Sequence, residues 1–449
     1  MRFRFFLFII LSVVINADIT DINMATPIRQ GVHIEWYRTV CPGNDGSAIF
    51  VWSDTRYGMR NVFAQKVDKH GNYAWGDDLS GAVITDLPGR QEDPVAIEDG
   101  SGGAFIAWVD YRFDDSGDIF IQHVDDSGRV LMDSNGVALA QQIGQQISIN
   151  MSTDSLGGVF VTWQDKRGGV DDDIYGTHVD ADHNIVSPGS GVSIVSEGGA
   201  QSAKSIEYAG NNEAFICWSD ARLGENIDIY GQRLDTNMQP VFQENGIPIA
   251  NTSGLETRPR ATFVNNTTSF VTWKSGDENA RILYQFVDHT GLVFGDAKSV
   301  ADFDAIQTAP RVKRSKSGEV FIQWKDLRLD AVDGDIFMQK INSNGDALWS
   351  NGVQVDPSDG VNFSGRFSAN NTGGFNIFWE KGVYPDVDIL FQSFDENGQP
   401  LSQEAIVVAG GDGYQFAPNI VQGSSDSVFV VLRIKATVVL TLGFTILEG

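Results

Sequence analysis

Cysteine is almost absent from this chain. Cys41 and Cys217 are the two in 449 residues, too few for a disulfide framework and too far apart in sequence to suggest a bridge. Histidine is scarce as well: His33, His70, His123, His178, His183 and His289 show no His-Glu-x-x-His or other metal-ligand spacing. No Gly-x-Ser-x-Gly elbow occurs. Basic residues are outnumbered, 32 Lys and Arg against 59 Asp and Glu, for a net charge of −27. That balance excludes nucleic acid as a partner and disfavours anionic membranes, because binding either needs a basic surface that displaces counterions. Carboxylates are so plentiful that no pair stands out as a glycosidase dyad. No stretch carries the 3.6-residue periodicity of an amphipathic helix.

Long apolar runs are missing too, with one exception. Phe5 to Ile15 follows Arg2 and Arg4 and precedes Ile15-Asn16-Ala17. A basic start, a short apolar run and a small residue at the end form an export signal, here residues 1–17. The run is too short to span a bilayer comfortably. The expectation is a secreted protein, extracellular or at the cell surface (the periplasm being the other compartment), without a membrane span. Residues 18–449 then form a single domain.

What the chain has in abundance is one cassette. An apolar strand ends in Trp-x-Asp-x-Arg, and a short loop leads to Asp-Ile-(Tyr/Phe). It reads Trp52-Ser53-Asp54-Thr55-Arg56, then Trp108, Asp110 and Arg112, then Trp163, Asp165 and Arg167, then Trp218, Asp220 and Arg222, and later Trp324, Asp326 and Arg328. Two worn copies centre on Trp273 and Trp379. The tryptophans lie 56, 55, 55, 55, 51 and 55 residues apart, a period that belongs to propellers and solenoids. Within each period four short Val-, Ile- and Phe-rich runs are separated by turns such as Asp125–Gly128. The Trp strand is apolar on both faces: Ile106 and Trp108 point one way, Phe105, Ala107 and Val109 the other. A sheet buried on both faces needs neighbours on both sides, which a ring of four-stranded blades supplies. The fold class is therefore all-β, a β-propeller of four-stranded antiparallel blades of about 55 residues each. Eight blades are expected, with seven as the alternative. The eighth would run from Pro418 with Leu432 in the Trp position and Thr437–Leu442 as its third strand, and the N-terminus around Ile19–Asn23 would close the ring.

A device repeated in every unit is expected to stack the units rather than to bind. Trp, Asp and Arg recur as scaffold, with each Arg expected between two carboxylates: Arg112 near Asp118, Arg167 near Asp173, Arg222 near Asp228 and Arg328 near Asp335. The competing reading makes each Trp–Asp–Arg a sugar subsite. His123 and His178 occupy equivalent third-strand positions and belong with the scaffold. Function belongs where repeats differ. The acidic loops containing Asp114, Asp115 and Asp118, Asp171, Asp172 and Asp173, and Asp330 to Asp335 are candidate Ca²⁺ ligands, although none has EF-hand spacing; solvated hairpin turns are the favoured explanation. Trp36, Tyr37, Trp75 and Trp349 are candidate stacking aromatics, and the divergent loop Tyr384-Pro385-Asp386 is a further candidate. No catalytic residue and no further cofactor is assigned.

The pattern Phe-x-x-Trp-x-Asp-x-Arg, Asp-Ile-Tyr-x-Gln and Asp-x-x-Gly resembles a repeat of exported bacterial propeller proteins, many of which carry C-terminal sorting domains. The match covers roughly residues 46–423. It is similar, more loosely, to periplasmic TolB-type propellers, whereas the Ser-x-Asp-x-Gly-x-x-Trp boxes of sialidases are absent. The resemblance carries no catalytic residues. The reading of the whole chain is a secreted binding or adhesion module for a polysaccharide or a surface protein. A glycan-acting hydrolase and an extracellular scaffold part are the alternatives.

Overall fold

A computed structural model describes residues 6–14, 25–31, 35–76, 80–224, 226–330, 332–384, 386–410, 413–422 and 427–436. Alternating Val-, Ile- and Phe-rich runs pair as antiparallel neighbours because Gly- and Asp-bearing turns reverse the chain between them. Blade one holds Glu35–Pro42, Ala48–Asp54, Asn61–Val67 and Ala82–Val83. Blade two holds Gln91–Glu98, Ala104–Asp110, Asp118–Val124 and Val137–Ala140. Blade three comprises Gln146–Thr153, Val159–Asp165, Asp173–Val179 and Val192–Val195. Blade four comprises Gln201–Gly210, Glu213–Asp220, Asp228–Leu234 and Ile247–Ala250. The fifth is Glu256–Asn265, Thr268–Ser275, Arg281–Asp288 and Lys298–Ser299; the sixth is Gln307–Arg314, Val320–Asp326, Asp335–Ile341 and Val353–Gln354. Blade seven uses Asn362–Ala369, Phe375–Val383, Asp386–Phe394 and Ile406–Ala409. First strands contact one another in turn from blade one to blade seven, Gly413–Gln422 contacts those of both blade seven and blade one, and the first strands of blades two to seven line the central cavity.

The count is seven blades, so the expectation of eight is corrected. Gly413–Gln422 and Ser427–Ala436 pair with each other. With Phe6–Val14 and Ala25–Gly31 they extend the seventh sheet to eight strands, attached through the single parallel pair Val387–Tyr414. This last unit carries Leu432 in place of Trp and no Asp–Arg pair behind it. Its strand Ser427–Ala436 pairs with Phe6–Val14, whereas blades five and seven pair second strand to third without the Asp–Arg device. Val421 of this extension packs on the face of blade one turned away from blade two, among Phe50, Trp52 and Phe63. The expected cleavage site at Ala17, the closing strand at 19–23 and the strand at 437–442 lie outside the described residues.

The core is a set of layers between blades. Ile106 and Trp108 pack against Val51 and Ala64 of blade one. Phe105, Ala107 and Val109 pack against Val161 and Trp163 of blade three. That division follows the period-two alternation. Each buried indole removes 150–250 Å² from water, roughly 4–6 kcal/mol as an upper bound.

The cassette is a latch. In blade four Trp218 Nε1 donates to Asp220 Oδ2 at 2.7 Å, and the Arg222 backbone N–H donates to Asp220 Oδ1 at 2.9 Å. The Arg222 guanidinium binds the same carboxylate at 2.6 Å and donates to the Asn245 carbonyl at 2.9 Å. Blades one, two, three and six repeat the Trp–Asp–Arg part. The expectation of a second carboxylate on each Arg is corrected. Asp118, Asp173, Asp228 and Asp335 are the strand partners of the latch aspartates, but the guanidinium plane lies on a third-strand ring: Phe63, Phe120, Tyr175, Tyr230 or Phe337, at 3.7 to 4.2 Å. An aromatic face fills the space the second carboxylate would need. Trp108, Trp163, Trp218 and Trp324 are fully buried, which rules out the sugar-subsite reading of these rings.

The worn copies show what the latch requires. Trp273 and Trp379 stay buried, yet their indole N–H groups have no hydrogen-bond partner among the described residues. Their strand partners are Leu283 and Leu390 instead of aromatics. The glycine that precedes the fourth strand elsewhere (Gly81, Gly136, Gly191, Gly246, Gly352) becomes Ala297 and Ala405. Arg, ring and glycine are lost together, as expected of parts of one device.

Candidate functional site

The acidic loops fold as turns. Asp114 Oδ1 accepts backbone N–H groups from Ser116 and Gly117, and Asp173 Oδ2 accepts the Ser196 hydroxyl. Lys166 lies 3.8 Å from Asp172. Burial, with Asp114 and Asp110 beside it, pushes Asp118 up to about 6; burial likewise raises Asp173. Among the described residues no three His, Cys, Asp or Glu side chains gather to hold a metal ion. Trp75 is buried with its Nε1 on the Asp126 carbonyl, and Trp349 packs on Phe321 and Phe375; both fill gaps between blades. The side chains of Trp36 and Tyr37, and Pro385, lie outside the described residues. Cys41 and Cys217 are free and buried, and burial raises both thiols, Cys217 to about 12.

The hairpins between second and third strands carry a different feature. The residue after each latch arginine, or one close to it, is apolar and exposed: Tyr57, Phe113, Val170, Leu223 and Leu329, with Val383 and Tyr384 in blade seven. Exposure runs from 58% to 89%. Among the described residues six of the seven blades carry such a tip, blade five being the exception, and together these tips form a partial crown around one end of the ring.

The centre of the ring holds a cavity of about 320 Å³, lined by first strands of blades two to seven. One tier lies thirteen residues before each Trp and pairs with the residue just ahead of that Trp: Val95, Asn150, Ser205, Arg260, Arg311 and Arg366. Blades that share their scaffold differ here. Three consecutive blades place arginines on the cavity, a few residues along the strand from the crown end. Each first strand carries a bulge ahead of this tier, and Asp93, Ser148, Arg258 and Ala309 sit there with φ of 49° to 59°. Non-glycine residues rarely adopt that conformation, and bulges re-aim the side chains that follow.

Burial lowers the pKa of all three arginines. For Arg311 the next causes are Arg366 and Arg260 themselves; Arg366 is helped by Glu380. Arg366 donates to the Gly365 carbonyl at 3.1 Å and Arg260 to the Pro259 carbonyl at 3.0 Å. Among the described lining residues Glu207 is the one carboxylate, raised by burial and attracted to Lys313. Sequence reasoning looked for function in loops and missed this tier. The readable signal was a basic residue at a constant offset from the Trp in three successive repeats.

At the opposite hairpins, basic third-strand residues tie turns together. His123 Nε2 contacts Asp99 at 3.0 Å and its Nδ1 contacts His183 Nε2 of blade three at 2.8 Å; His178 contacts Asp154 at 2.8 Å. Burial and the neighbouring His123 lower the pKa of His183 from 6.5. The folded state thus refuses a proton that the unfolded chain accepts below pH 6.5, so this pair stabilises above 6.5 and loses its contribution as pH falls below it. The melting temperature should drop between pH 6.5 and 5 in the parent and drop less in His183→Asn. Parallel profiles for the two would reject this role; Asn keeps the left-handed backbone (φ 65°) at position 183.

No protein-family model and no curated protein sequence matches the chain. Among solved structures it is similar to the BP39L lectin of Burkholderia pseudomallei, at 10% identity and a TM-score of 0.50 over 83% of this chain and 99% of that one. It is also similar to the polysaccharide lyase Uly1 (10%, TM-score 0.49, 87% and 88% covered) and to the six-bladed Aleuria aurantia lectin (10%, TM-score 0.37, 69% and 93% covered). The likeness to the BP39L lectin is one of fold, a propeller with repeated blades. Among the described residues no helix is long and apolar enough to cross a membrane.

Proposed function

We propose that the chain is an exported, non-catalytic binding module for a polysaccharide, with the crown and the channel mouth as its site. The observation that carries this reading is the exposed crown of Tyr57, Phe113 and Tyr384 with their apolar neighbours, at the same end as the tier where blades differ. Sugar rings present apolar faces, and rigid aromatic side chains bury against them at low entropic cost. A glycan hydrolase needs two convergent carboxylates, and Glu207 stands without a second acid among the described lining residues. The solved lectins with propeller folds fit the same reading. Export rests on residues 1–17; cleavage after Ala17 would remove Phe6–Val14 and leave Ser427–Ala436 as a free edge.

A glycan array probed with the full chain, with calcium and then with chelator, tests the proposal. Retention without released sugar is expected, and Tyr57→Ala, Phe113→Ala or Tyr384→Ala should each weaken it about tenfold, the effect of losing one exposed anchor of about 1.4 kcal/mol. Released sugar, or no retention on any glycan, overturns it. Loss of retention in chelator would assign Asp114, Asp115, Asp118 and Asp171–Asp173 to calcium.

A further inference from the structure

Three half-buried guanidinium groups facing one cavity are costly in a free protein. Each gives up hydration; Arg311 is further opposed by Arg366 and Arg260, and Arg366 by Arg260, offset there by Glu380. Such an arrangement is kept where a partner relieves it, and in a chain of net charge −27 the cavity is a local reversal of sign. Arg311 forms no ion pair among the described residues, and its strongest electrostatic neighbours are Arg366 and Arg260. The tier is built by register: residues 260, 311 and 366 take the same rung in blades five, six and seven. Lys313 adds a fourth positive group to the lining, against Glu207 as the one carboxylate among the described lining residues.

We propose that Arg260, Arg311 and Arg366 form an oxyanion site in the channel, and that the polysaccharide bound at the crown is an acidic one whose carboxylate or sulfate groups enter it. This rests on the glycan-binding reading for the identity of the ligand, and on the arginines alone for its charge. A guanidinium fork matches a carboxylate or sulfate with two parallel hydrogen bonds, which a lysine cannot reproduce. Arginines also suit this place because an anion removes their mutual repulsion when it binds, so affinity is gained from strain already present in the free channel.

The probes are polygalacturonate for carboxylate, dextran sulfate for sulfate ester and dextran as the neutral control, with inorganic sulfate followed separately by thermal shift. The expected result is binding of polygalacturonate or dextran sulfate, weakening with salt, and none of dextran. Arg311→Gln should raise the dissociation constant about 10- to 100-fold, the range of a charge-assisted hydrogen bond, and Arg311→Lys should recover only part of it. Whichever polyanion binds tighter identifies the oxyanion. Inorganic sulfate should raise the melting temperature of the parent and not that of Arg311→Gln, which itself should melt no lower than the parent because a repulsive charge has gone. Dextran bound as tightly as the polyanions, with Arg311→Gln unchanged, would overturn the oxyanion site and leave the glycan reading standing. A sulfate response that needs Arg311, without binding of any polysaccharide, would uphold the oxyanion site while removing the glycan. No polyanion binding and no sulfate response would reject both.

Discussion

Replacing Asp326 by Ala lowers stability by about 3–5 kcal/mol, the expected cost of leaving a buried ionic partner uncompensated. Asp326 is fully buried and holds four donors: Trp324 Nε1 at 2.8 Å, the Arg328 backbone N–H at 3.0 Å, the Arg328 guanidinium at 2.6 Å and Gln307 Nε2 at 3.2 Å. Burial alone would raise its pKa; the hydrogen bonds from Arg328 and Trp324 outweigh that and hold it below 3.8. The carboxylate therefore stabilises the fold above pH 3.8 and loses that contribution as pH falls further. With the entropy of unfolding near 2 cal/mol/K per residue, the change corresponds to about 3–6 °C in the melting temperature of a ring that melts as one unit. Asp277→Ala is the control, since Asp277 is 81% exposed and 3.7 Å from Lys274; surface changes of that kind stay within about 0.5 kcal/mol. An Asp326→Ala protein melting within 1 °C of the parent would remove the latch as a source of stability.

The propeller was legible because its signals are local and repeated. A Trp every 55 residues or so, two-faced apolar strands and Asp-x-x-Gly hairpins each constrain one blade, and seven imperfect copies average out the exceptions. What the cassette residues touch was only half legible. Sequence places Asp118 opposite Asp110 and makes a carboxylate clamp on Arg112 natural; it does not reveal that Phe120, on the same strand, presents its face to the guanidinium at 4.1 Å. The blade count failed at Leu432, where a strand was visible but the residues that would close its own sheet were not. The channel tier was hidden by a search restricted to loops. Arg260, Arg311 and Arg366 sit inside ordinary strands, and only the ring closure that brings first strands to one axis turns three separate basic residues into one site.

The glycine of the latch provides the second large effect. Gly352 has φ +87°, and a Cβ there would stand 2.5 Å from Trp324 Cη2 and 3.0 Å from the Met338 carbonyl oxygen. Neither neighbour yields easily: the indole is wedged in the layer between blades five and six, and the carbonyl belongs to a strand. Gly352→Ala should therefore cost about 1 kcal/mol of backbone strain and a further 1–3 kcal/mol of overpacking. Gly58→Ala isolates the backbone part, because its φ is +96° with nothing within 4 Å of the added atom; a loss there as large as at 352 would refute the steric argument. The two substitutions in blade six should also fail to add. Once Asp326→Ala has released the Trp324 N–H, the ring is free to tilt, and the added methyl meets less resistance. Blades five and seven show the corresponding combination, with Ala297 and Ala405 at the position of the latch glycine and tryptophans whose N–H groups have no partner among the described residues. The double variant should accordingly lie closer to Asp326→Ala than the sum of the single losses predicts, by 0.5 kcal/mol or more on the scale of coupled neighbours, and strict additivity would show that glycine and carboxylate act on the tryptophan independently.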